Sequence, residues 1–213
     1  GRDYWALYNI YNHIEGLFDK SKALKCVKIA CDKNILEARV ALPELLLRGN
    51  SSVENRNEAL KILQSNLNSM HHFYPLLKGK NYKCLGDYYL KEANGEQNAL
   101  KFYRMMLETQ IPSLQIEYAK KVLIEKIWGN NLIPHAIDLM KDLLRTELAI
   151  EAYYILGMYY LPDPENVKVG REYVEKASAM GHFKAKVNLA NFYEGNEQFP
   201  RNLEKSYAYI LEA

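Results

Sequence analysis

The stretches 152–160, AYYILGMYY, and 185–193, AKVNLANFY, place side chains of the same kind at the same positions. Each begins with alanine, has leucine fifth and a small residue sixth, and ends with tyrosine. The two stretches start 33 residues apart. An internal match at such a spacing is typical of proteins built from repeated helical hairpins.

The same template, with substitutions, recurs along the chain. Looser copies begin at residues 6, 38, 81 and 119. Apolar residues recur at spacings of three and four, which favours helices over strands, so the sequence predicts an all-α fold. Each copy is followed by a second helical stretch with its own small residue, and these residues are Ala23, Ala59, Ala99, Ala136, Gly170 and Ser206.

Six helix–turn–helix units account for the whole chain, which we interpret as a single domain, 1–213. Runs rich in Gly, Asn and Pro separate the helices. Because one hairpin cannot bury both of its apolar faces, the hairpins are expected to stack into a solenoid. The predicted units are 3–33, 34–70, 71–110, 112–147, 148–181 and 182–213.

The fifth unit carries the most specific motif. Its second helix reads Gly170-x-x-Tyr173-x-x-Lys176-Ala177-Ser178-x-x-Gly181 and is followed by Ala185. This pattern resembles the Sel-one-like repeat, a subclass of the tetratricopeptide-like helical repeats. The resemblance implies a right-handed α-α superhelical solenoid of about six repeats. The family pattern continues beyond Ala213, so the sequence is expected to belong to a longer chain.

Composition narrows the classes of partner. The net charge of +2 gives no electrostatic field for wholesale capture of nucleic acid, so no nucleic-acid partner is expected. No stretch approaches the ~20 consecutive apolar residues that a membrane span needs.

The three cysteines are an odd number and are interpreted as buried, inert thiols. The compartment stays open between the cytoplasm and, if an upstream leader has been removed, a bacterial envelope or secreted location.

The residues that could carry chemistry form no recognisable site in the sequence. Adjacent His71 and His72 would point apart on a helix and make a poor metal chelate. The Gly79-Lys80 dipeptide lacks the glycine-rich loop that cradles phosphates. His135, like the other histidines, has no nucleophile or carboxylate at a readable spacing. We therefore predict no catalytic residue, no metal site and no cofactor.

A concave face is the expected binding surface. In tetratricopeptide-like arrays the first helix of each pair lines that face, and Tyr, Trp and Met are enriched at protein interfaces. By this analogy the candidate partner-binding residues are Trp5, Tyr8, Asn12, Lys83, Asp87, Tyr118, Lys121, Glu125, Trp128, Tyr154, Met158 and Asn191. Positions on the same face also include Glu15, Glu37, Val40, Glu44, Lys80, Lys184 and Val187.

The sequence thus predicts a non-enzymatic protein-interaction module that binds a protein or peptide in a concave groove. The resemblance implies an adaptor or scaffold, and the Lys-, Asn- and Tyr-rich composition suggests a bacterial source. One alternative is an immunity protein that neutralises a cognate bacterial toxin. A structural scaffold of the cell envelope is another. A hydrolytic enzyme is the least favoured reading, kept because catalytic groups can assemble from distant parts of a sequence.

Overall fold

The computed structural model describes residues 1–14, 19–49, 51–69, 74–195 and 201–212, without the side chain of Glu212. The predicted groove position Glu15 and the pair His71–His72 lie outside the described residues. All regular secondary structure in the described ranges is helical, and they contain no strand. The prediction of an all-α fold is therefore confirmed.

Twelve α-helices form in the described part of the chain, and the template matches that begin at residues 38, 81, 152 and 185 lie entirely within the first helix of a pair. The helices are α1 (Arg2–His13), α2 (Lys20–Asp32), α3 (Leu36–Leu46), α4 (Val53–Ser69), α5 (Pro75–Tyr89), α6 (Glu96–Leu107), α7 (Pro112–Ala119), α8 (Ile133–Leu143), α9 (Ala149–Tyr160), α10 (Val167–Ala179), α11 (Phe183–Gly195) and α12 (Leu203–Glu212). A π-helix (Lys120–Ile124) continues α7, and a short 3₁₀ turn (Asn130–Leu132) precedes α8.

The helices divide between two compact units, Gly1–Ile111 and Pro112–Ala213. In unit 1, α1 packs on α2, α2 on α3, α3 on α4, α4 on α5 and α5 on α6, and α3 also contacts α5. In unit 2, each helix from α7 to α12 likewise packs on the next, and α7 also contacts α9. Packing between consecutive helices is the arrangement that stacked hairpins require.

Local sequence signals explain where several helices begin and end. The Asp19 carboxylate accepts a hydrogen bond from the backbone N–H of Lys22 at 3.0 Å and so caps α2. Pro75 occupies the first turn of α5, where its missing N–H costs nothing. Gly181 follows α10 with φ +93°, a left-handed conformation that glycine adopts without strain.

Small residues bring the two helices of a hairpin close together. A Cβ added at Gly157 in α9 would lie 2.5 Å from Val174 Cγ2 and 2.9 Å from the Val174 backbone nitrogen in α10. A Cβ at Gly170 would lie 2.7 Å from the backbone nitrogen of Leu161. At both positions the obstacle includes backbone, which cannot move aside. The small positions of the template are therefore required by helix contact.

The leucine of the template fills the core. Leu156 and Leu189 in unit 2 are fully buried, and Leu42 and Leu85 in unit 1 are only 5% and 6% exposed. Ile10 holds this position in α1 and is 37% exposed. Since α1 has no preceding hairpin in the described chain, this difference indicates that the position packs towards the previous hairpin.

Two buried asparagines join the helices of unit 1. Asn81 takes the first, normally alanine, position of the template in α5 and is fully buried. Asn66 in α4 donates hydrogen bonds to the backbone oxygen of Arg39 at 2.9 Å and to Asn81 Oδ1 at 3.1 Å. Asn81 Nδ2 donates to the backbone oxygen of Leu77 at 2.8 Å. These bonds offset the cost of burying two amides.

The fourth template copy departs from the predicted helix. The helix changes to π geometry at Lys120 and ends at Ile124, so the template's last position, Ile127, lies beyond it. The N–H of Glu125 bonds to the carbonyl of Lys120 at 3.0 Å, the wider i→i+5 spacing of a π turn. The expectation of an unbroken helix through Ile127 is wrong, because the π turn ends the regular register.

The core position of Leu156 can be tested by truncation. Leu156→Ala leaves a cavity where the side chain is fully buried, so we expect it to lower the free energy of unfolding by about 2–5 kcal/mol. Urea titration followed by circular dichroism measures the change. Leu211→Ala is the matched control, since Leu211 is 88% exposed. Equal unfolding midpoints for the two variants would contradict the core assignment.

The close approach at Gly157 predicts the sign of a second substitution. Alanine normally stabilises a helix relative to glycine, by up to ~1 kcal/mol. At Gly157 the backbone of Val174 blocks the new methyl group, so Gly157→Ala should instead destabilise by about 1–3 kcal/mol. Gly129→Ala is the control, because there the nearest atom is the Asn131 side-chain oxygen at 3.4 Å. A stabilised Gly157→Ala protein would disprove the tight contact.

Candidate functional site

A cavity of about 260 Å³ opens in unit 1 between α1, α3 and the first turns of α5. Most of its lining comes from the first helices of three successive hairpins, the elements predicted to form the concave face. We call this surface the unit 1 groove. It is lined by Trp5, Tyr8, Asn9, Asn12, His13, Glu37, Val40, Ala41, Glu44, Leu45, Arg48, Leu77 and Lys80.

An aromatic pair forms one wall of the unit 1 groove. The rings of Trp5 and Tyr8, one helical turn apart on α1, stack with centroids 4.9 Å apart and planes 20° apart. Tyr8 is 4% exposed, whereas Trp5 is half-buried. Burial, with a smaller contribution from the Glu44 carboxylate, raises the pKa of Tyr8 to about 12 although Arg48 opposes it. Tyr8 therefore keeps its phenolic proton at neutral pH.

A short chain of hydrogen bonds holds the far end of α1 against the end of α3. Arg48 Nη1 donates to Asn12 Oδ1 at 2.9 Å, and Asn12 Nδ2 donates to the hydroxyl of Tyr8 at 3.2 Å. The guanidinium of Arg48 is thus engaged with α1. This contact positions the polar end of the groove.

Two glutamates line the groove from α3. Glu37 and Glu44 are exposed, and neither forms an ion pair with another described residue. They lie seven residues apart, with Val40 and Ala41 between them on the same face of the helix. The face of α3 thus presents an apolar strip with a carboxylate at each end.

The other candidates of unit 1 lie outside this cavity. Lys83 Nζ donates to Asp87 Oδ2 at 2.8 Å, one turn away on α5. The hydroxyl of the buried Tyr103 in α6 donates to the second oxygen of Asp87. Lys83 and Asp87 are therefore committed to contacts within the α5–α6 hairpin.

The candidates at the start of unit 2 pack mainly with one another. Tyr118 is 1% exposed and Trp128 is 8% exposed, and their rings stack with centroids 6.2 Å apart. Trp128 follows the π-helix and folds back onto α7. Lys121 forms an ion pair at 2.9 Å with the exposed Glu125. The two aromatic rings are thus packed in the interior of unit 2 and are not available at its surface.

A polar cluster links three successive hairpins of unit 2. Lys120 Nζ lies 2.8 Å from Glu151 Oε1, and His182 Nε2 lies 3.0 Å from Glu151 Oε2. Burial alone would raise the pKa of Glu151, but hydrogen bonds and charges from Lys120 and His182 outweigh it and lower that pKa. We call these three residues the Glu151 cluster.

The hydrogen bonds of His182 define its tautomer. The backbone N–H of Ala185 donates to His182 Nδ1 at 3.1 Å, which caps α11 and requires Nδ1 to be unprotonated. The proton of the neutral ring then lies on Nε2 and points to Glu151. Since both ring nitrogens are engaged, His182 in this arrangement is a structural group rather than a free general base.

Tyr154 and Met158 lie beside the Glu151 cluster. The ring of Tyr154 stacks on His182 at 4.2 Å, and its hydroxyl accepts a hydrogen bond from Asn188 Nδ2 at 3.1 Å. The same Asn188 nitrogen lies 3.3 Å from the sulfur of Met158. Both candidates therefore hold α9 against α11. The remaining candidate, Asn191, is exposed on α11.

Sequence reasoning missed Glu151 and its partner His182. Glu151 directly precedes the template alanine, the position that Trp5 and Glu37 hold in other repeats, so the rule used for the groove would have found it. His182 lies in the turn before α11, 31 residues away, and no spacing rule links the two. Glu151 and His182 come into contact only because adjacent hairpins pack on each other.

Two further kinds of group, metal ligands and thiols, bear on the chemistry of the described residues. No group of three or more His, Cys, Asp or Glu within them could hold a metal ion. Burial raises the pKa of Cys31 to about 11 and that of Cys84 to about 12, so both stay protonated thiols at neutral pH. None of the helices in the described ranges combines the length and hydrophobicity needed to cross a membrane.

Comparison with known proteins does not assign the chain to a family. No model of a known protein family matches it, and no curated protein matches it significantly. The resemblance to Sel-one-like repeats accordingly stays a prediction from the sequence motifs.

The lowered pKa of Glu151 predicts a pH-dependent contribution to stability. A carboxyl whose pKa is depressed by folding stabilises the protein above its ordinary value, here 4.5, and loses that contribution as the pH falls through the folded value. Glu151→Gln should therefore destabilise unit 2 by about 1 kcal/mol near pH 7 and by less near pH 3.

Chemical denaturation at several pH values measures this effect. Glu172→Gln, at an exposed position on α10, is the control and should change stability little at any pH. A penalty for Glu151→Gln that stays constant between pH 7 and pH 3 would contradict the ion-pair interpretation.

Proposed function

We propose that this chain is a non-enzymatic protein-interaction module of the Sel-one-like repeat type, which binds a protein or peptide in the unit 1 groove. The observation that carries the proposal is the cavity of about 260 Å³, lined mostly by three first helices that together supply an aromatic pair and charged side chains. A preformed groove loses little conformational entropy on binding, so modest contacts suffice.

The helical organisation supports the repeat part of the proposal. Within each of the two units, consecutive helices pack on one another, and both small and large template positions make the contacts that stacked hairpins need. On this basis we propose a right-handed solenoid of six hairpins, acting as an adaptor or scaffold, of bacterial origin.

The composition of the groove supports protein as the ligand. Interfaces are enriched in aromatic anchors at their centre and in polar groups at their rim. Trp5 is the natural anchor, because it is half-buried and already stacked on Tyr8. Glu37, Glu44 and Lys80 are exposed around it and provide the polar rim.

A toxin-neutralising immunity protein is the second candidate. Such a protein would present an aromatic or acidic surface to a single tight partner, and the lining of the unit 1 groove is both aromatic and partly acidic. The two candidates differ in the number of partners captured, since an adaptor binds several proteins and an immunity protein binds one.

The proposal predicts that Trp5 is needed for partner capture. Trp5→Ala should weaken capture at least about tenfold, because truncating an aromatic anchor typically costs more than 1 kcal/mol. The measurement is affinity capture from the native host with the full-length protein, followed by mass spectrometry and by binding assays with the purified partner.

Tyr4→Ala is the matched control for Trp5→Ala. Tyr4 is the neighbouring aromatic residue on α1, is 40% exposed and does not line the cavity. Both variants are first checked for the thermal unfolding of the parent protein. If Tyr4→Ala weakens capture as much as Trp5→Ala, or if neither variant does, partner binding in the unit 1 groove is ruled out.

A further inference from the structure

We propose that the unit 1 groove binds an arginine side chain of the partner, seated against the Trp5–Tyr8 pair and paired with the carboxylates of α3. This inference rests on the proposed function and specifies the chemistry of the ligand. Three features of the groove converge on it: uncommitted carboxylates, a stacked aromatic wall and an unused hydroxyl donor.

The carboxylates supply the charge. Glu37 and Glu44 face the cavity without an ion-pair partner among the described residues, while the guanidinium of Arg48 donates a hydrogen bond to Asn12. Seven residues of helix separate the two glutamates by about 10 Å along the axis, and Val40 and Ala41 lie between them. The strip therefore suits a long side chain with an apolar stem and a cationic end.

Glu44 is the primary partner of the cation. It lines the same cavity as Trp5 and Tyr8, and it lies one helical turn before Arg48, which the hydrogen bonds through Asn12 connect to Tyr8. A cation that reaches Glu44 therefore also reaches the aromatic pair. Glu37, at the other end of the strip, adds to the negative electrostatic potential along this face of α3.

The aromatic wall favours arginine over lysine. A guanidinium is planar, stacks on aromatic faces and forms two parallel hydrogen bonds to a carboxylate. A cation placed against a tryptophan gains further attraction from the ring quadrupole. The half-buried Trp5 provides such a ring beside the acidic strip.

Tyr8 offers a hydrogen-bond donor to a ligand in the groove. Its side chain is 4% exposed, and its hydroxyl accepts a hydrogen bond from Asn12, yet its own proton has no acceptor among the described residues. Tyr8 lines the cavity, so this proton is available to a ligand there. A backbone carbonyl of a bound peptide would satisfy it, which fits a peptide-borne arginine.

The probe for this inference is the blocked peptide acetyl-Gly-Ser-Arg-Ser-Gly-amide. Its comparison peptide carries citrulline, which has nearly the shape of arginine but no charge. Binding to the full chain is followed through the indole N–H resonance of Trp5 in ¹H–¹⁵N spectra, up to millimolar peptide. We expect a saturable shift with the arginine peptide and at least about tenfold weaker binding of the citrulline peptide.

Variants of α3 test the assigned carboxylates. Glu44→Gln should remove the preference for arginine over citrulline, and Glu37→Gln should reduce it by a smaller factor. Glu54→Gln, an exposed position on α4 outside the groove, should keep the full preference. Tyr8→Phe should weaken both peptides by a similar factor, because it removes a hydrogen bond to backbone and not to the cation.

Three results would overturn the inference: no saturable shift, equal binding of the arginine and citrulline peptides, or tighter binding of acetyl-Gly-Ser-Glu-Ser-Gly-amide. The last result would mean that the positive charges of Lys80 and Arg48 outweigh the negative charges of the glutamates in the groove. Partner capture distinguishes these failures from failure of the proposed function. If Trp5→Ala abolishes partner capture while Glu44→Gln does not, the groove binds the partner protein without recognising an arginine side chain.

Discussion

Close contact between paired helices is the constraint on which this structure depends. At Gly157 and Gly170, backbone atoms of the partner helix or of the preceding turn occupy the space where a side chain would begin. Helices that approach this closely bury small residues completely, as at Ala152 and Ala177. The larger template residues are then directed to the previous hairpin, where they form the core.

The same constraint creates the unit 1 groove. Because the second helix of each hairpin covers the far side of the first, the first helices α1, α3 and α5 share the opposite surface. Side chains on that surface are only partly used in helix contact, since Tyr8 belongs to the core whereas Glu37, Glu44 and Lys80 stay exposed. They can therefore combine an aromatic pair with charges that are not neutralised within the fold, which is the composition of a binding surface.

Unit 2 uses the corresponding positions differently. Tyr154 and Glu151 lie on α9 where groove residues were expected, but stacking on His182 and the ion pair with Lys120 tie them to neighbouring hairpins. Packing likewise buries Tyr118 against Trp128. A residue on the groove face is thus available to a ligand only if its side chain is not already in contact with a side chain from a neighbouring hairpin.

The sequence by itself determined the helices and their pairing, because alanine, leucine and tyrosine at helical spacing dictate which face each helix buries. It also pointed to Trp5, Tyr8 and Asn12, which line the cavity. Only the tertiary structure decided which groove positions stay open. The π turn after Ala119 and the 31-residue separation of Glu151 and His182 are outcomes of packing between hairpins, and a local pattern carries no information about contacts made across such distances.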